Sequence, residues 1–300
     1  VDNVEIFWAS LWDYFEIISD TPYSKVVDSL ECGPGRRWFI DSKVNLAEHI
    51  LRNETEGAVA LYHMSETRPQ AQMQWAELAS RVRILATEMR LRGLKPGDAV
   101  CCLMPNIPES VVAMLATISI GCVWSNAAPE FGRKTILDRF TQIKPKWLFV
   151  ADGYQFGGKP FDRRGEVEAI VGELSGSLEQ VVYLPYLELE NTAVAVEAVL
   201  YDSLFYGEDP GRDNFAFERV AHDHPLWVVF SSGTTGLPKA IVHSHVGALM
   251  EMMKVMVFHM NLKPGDTSFF YTTTGWVMFN LQVAMLLTGC AGVLYDGNPT

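Results

Sequence analysis

Apolar residues recur every three or four positions through Val4, Trp8, Leu11, Trp12, Phe15 and Ile18, which predicts an amphipathic helix with aromatic residues on its inward stripe. Glu5, Asp13 and Glu16 occupy the opposite face, so the stripe is expected to pack on protein and not on anionic lipid. After a Gly33-Pro34-Gly35 break, residues 45–51 read as a short helix and 58–64 as a strand. The clearest helix follows, carried by Trp75, Leu78, Val82, Leu85 and Met89 and stopped by Gly93. Strand and helix then alternate: strand 99–104, helix 108–120, strand 122–125, helix 133–143, strand 147–150, a helical stretch 167–174 and strand 181–184. These strands are apolar on both faces, as in a parallel sheet between helix layers, so the fold class is α/β. The acidic region 188–211 reads as a surface excursion.

Composition narrows the partners. The 300 residues carry 24 Lys+Arg against 36 Asp+Glu, a formal charge of −12, which repels a phosphate backbone and argues against nucleic acid. It leaves room for a small phosphorylated ligand held by local donors. No apolar run reaches the ~18 residues of a membrane span. Five cysteines (Cys32, Cys101, Cys102, Cys122, Cys290), an odd number with no CxxC spacing, point to a reducing, cytosolic compartment and not to disulfides or zinc, and the pair Cys101–Cys102 in an apolar run reads as buried inert thiols. His222, His224, His243 and His245 form two HxH pairs. No cysteine or carboxylate completes a ligand set, so they read as satisfied or exposed side chains and no metal site is assigned.

The chemistry is concentrated in residues 225–245. An apolar strand, 226–230, opens into Ser231-Ser232-Gly233-Thr234-Thr235-Gly236-Leu237-Pro238-Lys239. Four hydroxyls, two glycines and a lysine at the end of a rigid strand have the composition of a phosphate cradle: hydroxyls and backbone N–H groups donate, glycine permits close approach and lysine balances charge. It is not a Walker A loop, because residues 240–242 continue as a strand and not as a helix. A polar hairpin turn without ligand is the competing reading.

The passage SSGTTGLPKAIVHSH resembles the signature loop of the adenylate-forming enzymes, the superfamily of acyl-CoA synthetases, luciferases and peptide-synthetase adenylation domains. The likeness covers nearly the whole chain. Residues 7–12, Arg37-Trp38-Phe39 and Asn45-Leu46-Ala47-Glu48 resemble the N-terminal cap of the acetyl-CoA synthetase branch. RGLKPGD at 92–98, Pro105-Asn106, TTTGWVMFN and YDGNP also match, and the combination of SSGTTGLPKAIVHSH, TTTGWVMFN and YDGNP is most similar to its acetoacetate-activating members. The resemblance implies layered, mainly parallel sheets with helices on both faces. It divides the chain into a helical cap, 1–57, and an AMP-binding domain, 58–300, truncated at its C-terminal side.

The activity implied is ATP-dependent activation of acetoacetate to an acyl-adenylate and transfer to coenzyme A. The alternatives are an acetyl or short-chain acyl-CoA synthetase, or a nucleotide-binding module without catalysis. By resemblance Ser231, Ser232, Gly233, Thr234, Thr235 and Gly236 wrap the ATP phosphates, and Lys239 adds charge beside the pyrophosphate. Trp276, Val277, Met278 and Asn280 line the acyl pocket, with Gln282 nearby; on side-chain chemistry alone Asn280 could equally cap a helix. Lys159 is the CoA contact that transfers; the family's other basic position falls on Phe156, and its glycine pair appears as Pro129-Glu130. Mg²⁺ is expected to arrive with ATP, held by phosphates and water. Elements for adenine, ribose and the catalytic lysine are expected beyond Thr300, in a C-terminal part of the same protein, so this chain alone is expected to be inactive.

Overall fold

Asn3 accepts the Ile6 amide hydrogen (2.9 Å) and opens α1 (Val4–Tyr14). The apolar stripe predicts a helix to Ile18, but the helix ends at Tyr14 and Glu16 takes a left-handed backbone, φ 50°. The cause is tertiary. Arg52 donates to the carbonyls of Phe15 and Glu16 (3.1 Å each), and the Ile18 N–H donates to His49 Nε2 (2.9 Å), so these groups find partners without another helical turn.

The structure, a computed structural model, describes residues 3–31, 35–189, 196–231 and 236–299. Two short strands, β1 (Lys25–Val27) and β2 (Trp38–Ile40), pair antiparallel, and β3 (Lys43–Val44) leads into α2 (Leu46–Leu51). Asn45 caps α2 by accepting from the Ala47 and Glu48 amides. The antiparallel pair β4 (Val59–Ser65) and β5 (Ala71–Gln74) runs into α3 (Trp75–Leu91). Then come β6 (Ala99–Leu103), α4 (Pro108–Ser119), β7 (Val123–Asn126), α5 (Arg133–Ile143) and β8 (Trp147–Ala151). A hairpin that no periodicity announces, β9 (Gly153–Phe156) with β10 (Lys159–Asp162), precedes α6 (Arg164–Leu174), β11 (Gln180–Leu184) and β12 (Val199–Leu200). The rest is β13 (Val220–Ala221), β14 (Pro225–Ser231), β15 (Lys239–Ser244), α7 (His245–Lys254), β16 (Thr267–Phe269), α8 (Val277–Ala284) and β17 (Ala291–Asp296).

Seven strands form the main sheet in the order β12-β11-β8-β6-β7-β14-β15, parallel until β15 returns antiparallel beside β14. A second sheet runs β16-β17-β4-β5. Alternation along β6 splits the core. Val100 and Cys102 join the apolar cluster of α2, α3 and α4, while Cys101 and Leu103 face Ile136, Phe140, Val167 and Ile170 of α5 and α6. Helices thus cover both faces, which is why the strands read as unbroken apolar runs. Four of the five thiols (Cys101, Cys102, Cys122 and Cys290) are buried and free, and burial pushes Cys102 and Cys122 up to about 12; Cys32 lies outside the described residues. Among the described residues no helix is long and apolar enough to cross a membrane.

The stretch 188–211 is not the surface excursion its acidity suggests. Residues 190–195 lie outside the described residues, but β12 extends the sheet, and Tyr201 and Leu204 beyond it are 0% and 1% exposed. One of the acids is a partner for a buried cation: Asp209 and Glu54 both bond Arg83 (2.7 Å), whose guanidinium is buried between them.

Candidate functional site

The donor-rich loop closes the β14–β15 hairpin. β14 lies between β7 and β15, and Ser231 stands directly across from Lys239. Gln142 of α5 donates to the Pro238 carbonyl (3.1 Å) and ties the returning leg to the helix layer. Lys239 is exposed and forms no ion pair among the described residues, so its charge is free for a ligand. Gly236 is exposed as well, while Ser232, Gly233, Thr234 and Thr235 lie outside the described residues.

The strand that launches this loop also walls a small cavity. Val229 and Phe230 of β14, Asn126 at the end of β7, Arg139 of α5, and Gly275, Trp276, Val277 and Asn280 enclose about 10 Å³. Trp276 precedes α8 and is 55% exposed, a surface aromatic and not a core one. Of the four residues expected to line an acyl pocket, Trp276, Val277 and Asn280 meet here, whereas half-buried Met278 is not among the lining residues. Asn280 sits inside α8, so it caps nothing; it is 1% exposed, and neither amide atom has a partner among the described residues.

Gln282, two residues on, is structural. It donates to the Val293 carbonyl (2.6 Å) and accepts from Asn106 (3.0 Å), which also donates to the Thr272 carbonyl (3.1 Å). Thr274 donates to the Met104 carbonyl (2.8 Å). Residues 104–106 thus anchor the run 272–275 that delivers Trp276, and this explains Pro105-Asn106 as a positioning element.

The same run borders a second, larger cavity of about 190 Å³. Its lining includes Tyr271 through Thr274, Pro129, Glu130, Tyr154, Phe156, Phe161 and Asp296. Tyr154 stacks on Phe161 (4.9 Å, 10°) across the β9–β10 hairpin. Glu66 accepts the backbone N–H groups of Gly157, Gly158 and Asn298, fastening the hairpin turn to the end of β17; these donors hold its carboxyl below the usual range. Tyr186 donates to Asp296 (2.8 Å), yet burial and then the negative charges of Glu130 and Glu66 push the Asp296 carboxyl up to about 7. Lys159 pairs with Phe156 at the hairpin turn, exposed and outside the lining itself. Asp296 lies in the YDGNP motif, but its meeting with Tyr154, Phe161 and Tyr271 carries no sequence signal, because these residues gather from separated segments.

The histidines are structural ties. His222 accepts from the Asp41 amide (3.2 Å), His224 Nε2 bonds the Gly121 carbonyl (2.8 Å), and His243 accepts from Trp227 Nε1 (2.6 Å). His245 Nδ1 accepts from the Leu46 amide (3.3 Å). Among the described residues no group of three His, Cys, Asp or Glu could hold a metal ion.

Comparison with known proteins places this geometry. The family described as AMP-binding enzyme matches residues 48–300. Acetoacetyl-CoA synthetase of Rattus norvegicus is 38% identical over 299 residues, covering 98% of this chain and 44% of that protein. The acetoacetyl-CoA synthetase of Rhizobium meliloti is 37% identical over 295 residues, covering 98% of this chain and 44% of its own length. The solved structure of acetoacetyl-CoA synthetase from Streptomyces lividans superposes with a TM-score of 0.93 at 44% identity, covering 100% of this chain and 45% of that one. The chain spans less than half the length of these relatives.

Proposed function

Because the chain belongs to the AMP-binding enzyme family, we propose that it forms part of an ATP-dependent acid–thiol ligase whose acid is acetoacetate. One observation carries the reading: the run 271–277 walls both cavities, the small one beside the Ser231–Lys239 hairpin and the large aromatic one behind it. A ligase that first makes an acyl-adenylate and then hands the acyl group to a thiol needs two such sites sharing one wall. Acetoacetate is preferred because the relatives carrying that name match along nearly the whole chain.

In the first step a carboxylate oxygen of the acid bonds to the α-phosphorus of ATP, and the bond to the bridging oxygen breaks, pyrophosphate leaving with the electron pair. Negative charge grows on the departing phosphates. Lys239 and the hydroxyls of Ser231, Ser232, Thr234 and Thr235 are the groups that would stabilise it. Trp276 and Val277 hold the acyl end against the strand that carries the loop. In the second step the CoA sulfur attacks the acyl carbon, AMP departs, and the thiol proton is released.

The large cavity is read as the site of the CoA adenine, supported by the aromatic residues Tyr154, Phe156 and Tyr271 in its lining, and Lys159 at the neighbouring hairpin turn would meet the 3′-phosphate. Mg²⁺ would be held by the ATP phosphates and water, where it would offset the charge of the departing pyrophosphate.

Acetoacetate-dependent exchange of labelled pyrophosphate into ATP tests the proposal. The longer protein containing this chain is expected to exchange, residues 1–300 alone are not, and Lys239→Ala should slow exchange on the order of 10–10³-fold. Absence of exchange with every short acid in the longer protein would refute it.

A further inference from the structure

Asn280 and Arg139 share a defect that suits a ligand. Asn280 is 1% exposed, and both its amide oxygen and its amide nitrogen lack partners among the described residues. A buried primary amide left this way costs a few kcal/mol unless something fills it. Arg139 projects from α5 into the same cavity. Its guanidinium lies 5.2 Å from the Phe131 ring centre and 5.7 Å from that of Phe230. Its one hydrogen bond among the described residues goes to the Thr135 carbonyl of its own helix (2.6 Å), and no carboxylate there pairs with it. Arg83 and Arg219 show the usual arrangement: each is partly or fully buried and each is held by two carboxylates. A half-buried guanidinium flanked by phenyl rings, facing an orphaned amide, is an arrangement waiting for an acceptor.

Size and lining say which acceptor. The space is about 10 Å³, room for a single oxygen atom or one water. Val229, Phe230, Trp276 and Val277 give it apolar edges, while Asn126, Arg139 and Asn280 make the accessible lining mostly polar; Trp276 and Val277 are exposed at its rim. A ligand can place one polar atom there, with the rest of it lying outside against Trp276 and Val277. Phosphate is too large and too uniformly charged for that pocket.

We propose that Arg139 and Asn280 form a subsite for the 3-oxo oxygen of a β-keto acid, with Asn280 Nδ2 and the uncommitted Arg139 N–H groups as donors. This rests on the ligase reading above and adds to it the residue that the family motif does not contain, Arg139. In a β-keto acid the oxo carbon lies two carbons from the carboxyl carbon, so the carboxylate can stay outside the cavity while the oxo group turns into it. A straight-chain acid of the same length presents a methylene there and leaves the amide and guanidinium to water. Sites built to bond a substrate oxygen reject analogues that lack it far more strongly than apolar pockets reject a missing methylene.

Initial rates of pyrophosphate exchange with acetoacetate and with butyrate, in the longer protein and in the variants Arg139→Met and Asn280→Leu, decide the matter. Each variant is expected to lose at least tenfold more kcat/KM for acetoacetate than for butyrate. Parallel losses on both acids, or an unchanged ratio, would overturn the subsite while leaving the ligase reading intact. A wild type silent toward both acids and all other short acids would overturn the ligase reading and the subsite with it. Thermal unfolding is followed alongside; Arg139→Met keeps the aliphatic stem between the rings and decides alone if Asn280→Leu does not fold.

Discussion

At the scale of single residues, position and not type decides what a side chain does. His49 is fully buried, its Nδ1–H bonded to the Asn45 carbonyl (2.8 Å) and its Nε2 accepting from the Ile18 amide. That pairing requires the neutral ring, and burial lowers its pKa to about 4; burial, with smaller repulsion from His224 and His49, takes His245 to about 3. Both values are depressed below the ordinary 6.5, so the unfolded chain binds protons first as pH falls. The stability that the neutral rings contribute is complete above pH 6.5 and is lost between there and about pH 4, about 3 kcal/mol for His49 alone. The urea midpoint should therefore fall between pH 7 and 4.5, and fall less in His49→Gln; equal pH dependence in both proteins would refute the assignment.

At the scale of elements, the site depends on how α5, β14 and α8 meet. Gly275, just before α8, packs tightly on the segment that leads into α5: a Cβ there would lie 2.3 Å from Cζ of Phe131 and 3.0 Å from Cβ of Ala128. Phe131 is one of the rings beside Arg139, and Arg163 donates to its carbonyl (2.8 Å), so it has little freedom to withdraw. Gly275→Ala should push Phe131 and the first turn of α8 apart and displace Arg139. Misplacement by about 1 Å can cost on the order of 10²-fold in rate. We expect acetoacetate-dependent exchange to fall at least tenfold with the protein still folded; full activity in this variant would show that the Gly275–Phe131 contact does not position the site. The β9–β10 hairpin is equally constrained, since a Cβ on Gly153 would meet the Phe161 carbonyl oxygen at 2.2 Å.

At the scale of the whole molecule, the first helix belongs to the main core. Leu11, Trp12 and Phe15 join the apolar cluster that also holds Trp75, Val100, Met114 and Leu226, and Trp12 stacks on Phe39 at 4.7 Å. We propose that the expected cap, 1–57, which packs through these residues into the same apolar cluster, unfolds together with the sheet-and-helix layers. Trp12→Ala should lower global stability by about 3–5 kcal/mol. Urea unfolding followed by tryptophan fluorescence and by far-UV circular dichroism should still give one coincident transition. An early separate transition of the first segment, with the rest unmoved, would show that the cap is an independent unit.

The periodicities and the donor-rich loop are local properties, and they were legible in the sequence. Unbroken apolar strands alternating with 3.6-period helices determined a sheet covered on both faces. SSGTTGLPK after an apolar strand determined a hairpin loop of phosphate-binding composition, and together with the flanking motifs it determined the family. What depends on partners far along the chain was decided only by the tertiary structure. Arg52 and His49, more than thirty residues away, end α1 before Ile18. Asn106 and Val293 claim Gln282 for the scaffold, while Asn280, with a similar amide two residues earlier, has no partner among the described residues and faces the cavity. Arg139 carries no motif and gains its meaning from two phenyl rings supplied by different elements. A side chain's chemistry is written in its own atoms, but whether that chemistry is satisfied by the fold or left over for a ligand depends on what the rest of the chain brings within 3 Å of it.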